Sequence, residues 1–230
     1  MLAHMEFTSK KITLVSIPRD TRVEIPQVGF TKINHAHMIG EIGGGNHSGT
    51  EAVLEIVSDF LQCDINYYIK VNFQGFKDIV DTIGGVDIEL PAPVKLTFSY
   101  VVLDSGNQHI DGDLALKLMK ERFSLPDGDF GRQKNHLLLI QSIVSKLLKP
   151  RYAKELPLLI QQVKENIIDT NLTVDDILSL AWAFQGMSQE NIVHIQIPGH
   201  SYYAQDPLVQ ARVYYWIPDE EKVEEISQKF

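Results

Sequence analysis

The chain has 230 residues, of which 30 are Asp or Glu and 21 are Lys or Arg, for a formal net charge of -9. That acidic balance argues against broad nucleic-acid binding, which needs a basic face. A single cysteine, Cys63, excludes an intrachain disulfide, and no apolar run approaches the ~20 residues of a membrane span.

Proline and glycine occur as punctuation, and no repeat or linker is visible, so one α/β domain over residues 1–230 is expected. Residues 1–7 alternate like a strand. Residues 11–17 carry Ile12, Leu14, Val15 and Ile17, the β-prone run of a buried strand. Pro18 ends that strand by removing a donor, which leaves Arg19, Asp20 and Thr21 at its end. Ligands of α/β sheets collect at strand ends, so Arg19 is a site candidate; the alternative is an Arg19–Asp20 or cross-loop ion pair that only fixes the turn. Lys32 precedes a short helical stretch that Asn34 can cap. His35 and His37 are two positions apart, share no helical face and read as surface or turn histidines. GGGN at 43–46 lacks the Lys-Ser/Thr of a nucleotide loop and reads as a flexible loop between helices, with a lid as the alternative.

A helix is predicted over 50–62, with Ser48 and Glu51 as a capping box. A strand over 65–71 leads to a helix over 73–83, capped by Asn72 and stopped by Gly84-Gly85, and then to a strand over 86–90. The 92–110 stretch reads as a hairpin arm or as a cover over an apolar cavity. Helices follow at 111–122, 131–148, 155–168 and 173–186, the last with Thr173 and Asp176 as a capping box. A strand over 191–197 and a helix over 219–229 complete the pattern. Alternating strands and helices imply a single three-layer α/β/α domain with a central mixed sheet.

The segment KERFSLPDGDFGRQKNH at 120–136 gathers Lys120, Arg122, Arg132 and Lys134 around a Pro126-Asp127-Gly128 turn between two helix ends. Cations concentrated in an acidic chain point to a local anionic ligand, and guanidinium forks suit phosphate oxygens. The alternative is a salt-bridged helix junction using Glu121, Asp127 and Asp129. Two apolar helical stripes stand out: Phe73, Phe76, Ile79, Val80 and Ile83, and Leu137, Leu138, Ile140, Ile143, Val144 and Leu147. By pattern alone these are core stripes. Neither a Gly-x-Ser-x-Gly elbow nor a Cys/His nucleophile pair supports acyl-enzyme chemistry.

Several motifs occur in one order: SIPRDT at 16–21, TKINHA at 31–36, YYIKVNFQGFKDIVDTIGGVDIELP at 67–91, NQHIDGDLAL at 107–116, and ER at 121–122 with DGDFGR at 127–132. Together they resemble the LytR-CpsA-Psr family of bacterial cell-envelope proteins over nearly the whole chain. The resemblance implies a phosphotransferase that moves a glycopolymer, of the teichoic acid or capsular type, from a polyprenyl-pyrophosphate carrier to peptidoglycan, with a pyrophosphatase side reaction. A non-catalytic polyprenyl-phosphate-binding or regulatory module is the alternative. By resemblance Arg19, Arg122 and Arg132 are the catalytic cations. Lys32, Lys120 and His136 join them in binding phosphate, and the four cations Arg19, Lys32, Arg122 and Arg132 meet at one pocket mouth. Lys120 stands where the family often has Arg, which keeps the charge but loses the fork; His136 stands where Gln is usual, and Asp129 orients Arg132. Phe73, Phe76, Ile79, Val80, Leu138 and Val144 would contact the polyprenyl tail. Mg²⁺ is implied as cofactor, with its carboxylates on a strand upstream of Met1 beside a membrane helix, and with no metal ligand in the chain itself. The resemblance places the protein at the outer face of a bacterial membrane.

Overall fold

The computed structural model describes residues 1–126, 128–149, 152, 156–164 and 166–230, side chains excepted at 129, 156, 163, 164 and 189. Its first elements are β1 (Leu2–Glu6), β2 (Lys11–Ser16), β3 (Arg22–Ile25), β4 (Gly29–Lys32) and α1 (His35–Leu61). Next come β5 (Ile69–Val71), α2 (Phe73–Thr82), β6 (Val86–Leu90), β7 (Val94–Leu96), β8 (Val101–Leu103) and β9 (Gly106–Ile110). Then follow α3 (Gly112–Lys120), α4 (Asp129–Leu147), α5 (Leu156–Lys164), β10 (Ile167–Thr170) and α6 (Val174–Ala183). The last are β11 (Ile192–Gln196), β12 (Gly199–Gln205), β13 (Arg212–Pro218) and α7 (Glu220–Ser227).

The α/β class holds, with strand pairing spread over short ladders. β2 lies between β1 and β11 in a three-stranded sheet, and β3–β4, β5–β10, β6–β9, β7–β8 and β12–β13 pair antiparallel. Contacts divide the chain into two compact units. One comprises Met1–His4, Thr13–Tyr68 and His194–Phe230, and the other Met5–Ile12 and Ile69–Val193. The first unit packs Val15, Leu61, Ile197, Val223 and Ile226 in one cluster and Val23, Ile25, Ile33 and Ile56 in another. The second has its own core, in which Val80, Val86, Ile110, Leu118 and Leu139 are all almost wholly buried. Among the described residues no helix is long and apolar enough to cross a membrane.

Local chemistry explains where α2 begins and ends. Asn72 accepts the Gly75 N–H through its side chain at 2.7 Å. A Cβ on Gly75 would lie 2.1 Å from the Asn166 carbonyl oxygen, so only glycine permits the approach of the segment leading into β10. Gly84 and Gly85, at φ 74° and 73°, close the helix. Their carbonyls accept from the buried Lys146 ammonium at 2.9 and 2.6 Å, a tie from α4. The capping box of Thr173 and Asp176 forms as expected.

Other expectations are corrected. Residues 43–46 are no loop: they lie inside α1, which is kinked at Gly45 (φ 82°, ψ -170°). Ser48 therefore caps nothing, and its hydroxyl bonds back to the Gly44 carbonyl at 3.2 Å. Asn34 occupies the cap position of α1 in an α-helical conformation without a side-chain cap bond. The strand expected over 65–71 shortens to Ile69–Val71, and the helix expected to run to 168 ends at Lys164. Ile167, Asp169 and Thr170 pair with β5 instead, which suits the β-branched Ile167 and Thr170. Residues 155 and 165 of that expected helix lie outside the described residues. The 92–110 stretch contains three strands: β7 and β8, which pair as a hairpin, and β9, which returns to pair with β6.

Candidate functional site

In the second unit, α3 ends at Lys120 and Glu121 turns the backbone to extended geometry (φ -67°, ψ 131°). This turn brings Arg122 out to an exposed position. Glu121 itself is only 4% exposed. Its carboxylate accepts from the Thr97 N–H at 2.6 Å, the Thr97 hydroxyl at 2.8 Å, the Phe123 N–H at 2.9 Å and the Ser124 N–H at 3.0 Å. Burial alone raises this carboxyl's pKa, but the Ser124, Thr97 and Phe123 donors outweigh it and bring the value down to about 2. Glu121 thus staples the segment bearing Arg122 to the β7–β8 hairpin. The salt-bridge role read from sequence is replaced by one of holding backbone.

The cations around this staple rest on aromatic rings. The Lys120 ammonium lies 4.1 Å from the Phe73 ring centre, and the Arg122 guanidinium 4.7 Å from that of Phe123. Arg132 is half-buried in the first turn of α4, where its N–H meets the Gly128 carbonyl at 3.1 Å. His136 places Nε2 2.7 Å from the Met119 carbonyl, so that nitrogen carries the proton. Asn135 donates to the Leu118 carbonyl at 3.4 Å. These two residues tie α4 to the last turn of α3, which fixes the take-off of Lys120 and Arg122. Asp127, and the side chain of Asp129, lie outside the described residues.

Glu121→Gln keeps the shape but loses the charge that four donors face. The native carboxyl at about 2, against its ordinary 4.5, corresponds to about 3 kcal/mol of stability at neutral pH. Because the folded value is the lower one, this contribution is full above the ordinary value and is lost as pH falls from there through about 2. Urea unfolding at pH 7 is expected to show a loss of about 2–3 kcal/mol for the variant, with the gap to wild type closing in acid.

In the first unit, Pro18 ends β2 and its carbonyl accepts the Thr21 N–H at 3.0 Å and the Thr21 hydroxyl at 2.6 Å. Arg19 and Asp20 occupy the resulting turn, with Arg19 exposed. Asp20 holds the Lys32 ammonium at 2.7 Å, so the ion pair at this strand end runs across the loop. The ammonium keeps two further protons for another acceptor. Arg22, cross-strand from Lys32, has its guanidinium 4.7 Å from the Phe30 ring centre and 5.6 Å from that of Tyr215.

Beneath this turn lies a hub that no motif announced. Asp206 is wholly buried and accepts from the Thr31 hydroxyl at 2.7 Å, the Tyr215 hydroxyl at 2.6 Å and the Leu208 and Val209 N–H groups at 2.8 Å each. Burial opposes its charge, yet these donors hold its carboxyl well below the usual carboxylate range. Burial, and then the bond to Asp206, push the Tyr215 phenol up to about 12. His35, read from sequence as a surface or turn histidine, has Nδ1 2.7 Å from the Thr31 hydroxyl. The hub pins β4, which ends at Lys32, to β13.

The candidate lipid residues divide by burial. Phe73 is 58% exposed, Ile79, Leu138 and Val144 are half-buried, and Phe76 and Val80 sit in the second unit's core. An open groove of about 740 Å³ in the first unit is lined by Arg22, Phe30, Ile56, Phe60 and Val223 among others, and by none of those six. Among the described residues no group of three or more His, Cys, Asp or Glu is placed to hold a metal ion.

The sequence profile of the LytR_cpsA_psr family matches residues 1–230. The chain is 36% identical over 216 residues to a Bacillus mycoides protein named polyisoprenyl-teichoic acid–peptidoglycan teichoic acid transferase TagU, covering 94% of this chain and 66% of that protein. It is 27% identical over 228 residues to the correspondingly named TagV of Bacillus subtilis, covering 96% of this chain and 55% of that protein. The chain therefore spans less than two thirds of the length of these relatives. The crystal structure of B. subtilis TagV superposes with a TM-score of 0.81 at 27% identity, covering 99% of this chain and 86% of the other. That of B. subtilis TagU gives 0.71 at 27% identity, covering 98% and 86%.

Proposed function

The chain belongs to the LytR-CpsA-Psr family, and on that premise we propose that it transfers a glycopolymer of the teichoic acid type from a polyprenyl-pyrophosphate carrier to peptidoglycan. The names of the relatives support the substrate class. The observation in the chain itself that carries the reading is the exposed Arg122, delivered by the buried Glu121 staple beside Lys120. In this reading residues 1–230 act as one catalytic-type domain at the outer face of the bacterial membrane.

The reaction forms a bond from an acceptor oxygen of peptidoglycan to the phosphorus that bears the polymer. It breaks the anhydride P–O bond and releases polyprenyl monophosphate, while the acceptor proton passes to solvent or a base. Charge grows on the equatorial oxygens and on the leaving phosphate, where fixed cations stabilise it most. Arg19, Arg122 and Arg132 take this catalytic role. Lys32 and Lys120 add point charges, and His136 acts on phosphate indirectly through the helix end it holds. The polyprenyl tail contacts Phe73, Ile79, Leu138 and Val144, and reaches Phe76 and Val80 only where the core around them opens. Mg²⁺ is proposed as cofactor on family likeness. The described residues offer no ligand set for it, and no step here depends on it.

Donor binding tests this function. The chain mixed with a short-chain polyprenyl-pyrophosphate sugar is expected to retain it in native mass spectrometry. Lys32→Ala removes one charge-assisted contact and is expected to weaken retention about 10- to 100-fold. Equal retention would remove Lys32 from the phosphate site and leave it as the partner of Asp20. A binding module without turnover is the second reading, favoured by that pairing and by Lys120, which has no guanidinium fork.

A further inference from the structure

The β7–β8 hairpin of the second unit turns an aromatic tip into solvent. Phe98 is 84% exposed and Tyr100 102%, while Val102 beside them is 53% exposed. Tyr100 holds φ 54°, a left-handed conformation that a bulky L-residue adopts only under constraint. The tip is braced on both sides: Ser99 N–H meets the Leu96 carbonyl at 3.1 Å, and Thr97 is clamped by Glu121. Phe98 meets Phe123, itself 62% exposed, edge-on at 5.8 Å with planes at 90°. The opposite pleat behaves normally, since Val94, Leu96 and Leu103 are buried in the core. The exposed rings are therefore an addition to a well-packed hairpin rather than a packing failure.

Cations flank the tip, and the exposed Asp104 follows β8. Lys95 is exposed and pairs cross-strand with Val102, and Arg122 and Lys120 lie on the neighbouring segment. From Val94 to Leu103 the sequence has no Asp or Glu, in a chain of net charge -9. We propose that this tip is a membrane-surface docking patch: Phe98, Tyr100 and Phe123 enter the headgroup region of an anionic bilayer, and the exposed Lys95 on the same hairpin faces the lipid phosphates. Aromatic rings flanked by Lys and Arg are suited to that boundary, where one end of the patch is apolar and the other wet. A single convex turn offers far less than the ~800 Å² per partner of a stable protein interface, whereas a fluid bilayer closes around a protrusion. The proposal stands apart from the phosphotransfer reading, because it requires only vesicle binding.

The test is co-sedimentation of the 230-residue protein with vesicles of phosphatidylglycerol and phosphatidylcholine in equal parts. Wild type is expected to sediment with them, less so in high salt, and the double variant Phe98→Ser, Tyr100→Ser to partition about tenfold less. Equal partitioning of the two proteins, or no binding by wild type, would overturn the proposal. Tyr100→Trp reports directly: a blue shift of its emission on adding vesicles is expected, and an unchanged spectrum contradicts insertion. Loss of concentration-dependent self-association in the double variant, with vesicles unbound by wild type, would assign the rings to a second copy of the chain instead. Turnover of a short-chain, water-soluble donor without vesicles is expected to be the same in wild type and double variant. A specific loss there would place the rings on the donor and sink the membrane reading, and if no donor is turned over the vesicle arms alone decide.

Discussion

Arg122→Ala is expected to lower transfer from a lipid-pyrophosphate donor by about 10²- to 10³-fold, the scale of removing one charge-stabilising donor from a reacting centre. Its cost to the fold is expected to stay within about 0.5–1 kcal/mol, because the exposed guanidinium contributes little beyond its stacking on Phe123. Glu121, not Arg122, holds the local backbone. Arg122→Lys keeps a charge but no fork, so it should recover part of the rate. The check is single-turnover kinetics beside urea unfolding for all three proteins. A variant that loses stability and rate together would show Arg122 to be structural, and the phosphate assignment would fall with it.

Asp206→Ala is expected to destabilise the first unit by about 3–5 kcal/mol. The substitution strips the partner from two buried hydroxyls, Thr31 and Tyr215, and from the Leu208 and Val209 N–H groups. Each donor left unsatisfied in the interior costs about 1–3 kcal/mol before relaxation. Asp206→Asn retains an acceptor but turns an amide N–H₂ towards other donors, so it should recover only part of the loss. The folded pKa lies below the unfolded one, so the stability is fully present above the ordinary Asp value. It drains away as pH falls from there through the depressed folded value. Urea unfolding across pH 3 to 7 should therefore show the gap between wild type and Asp206→Asn starting to narrow as pH falls below the ordinary Asp value. A pH-independent gap would mean that shape rather than charge holds the hub.

Much of the second unit was readable because its signals are local. Asn72 caps α2 from one position before it, Gly84-Gly85 closes it, and Thr173 with Asp176 opens α6, all within a turn of the residues they act on. What escaped were pairings set by tertiary structure. Asp206 and Thr31 are 175 positions apart, and nothing in the surrounding DPLVQ marks the aspartate as buried. Glu121 was legible as a member of a charged cluster, but its partner Thr97 sits on a hairpin 24 positions earlier. The glycine run at 43–45 signalled flexibility, whereas tertiary context keeps α1 helical on both sides of a single kinked residue. The cations were found as residue types. Their settings were not, because a stack of Lys120 on Phe73 or a tie from Lys32 to Asp20 leaves no periodic trace.

The central claim is that the exposed cations catalyse phosphoryl transfer rather than merely hold a lipid. The direct measurement supplies a polyprenyl-pyrophosphate-linked teichoic acid and purified peptidoglycan, and follows polyprenyl monophosphate release together with polymer bound to the sacculus. The account predicts that both products appear in equal amounts with wild type and drop together with Arg122→Ala. Donor retained by wild type without release of monophosphate or labelling of peptidoglycan would contradict it, and would leave a polyprenyl-phosphate-binding module in its place.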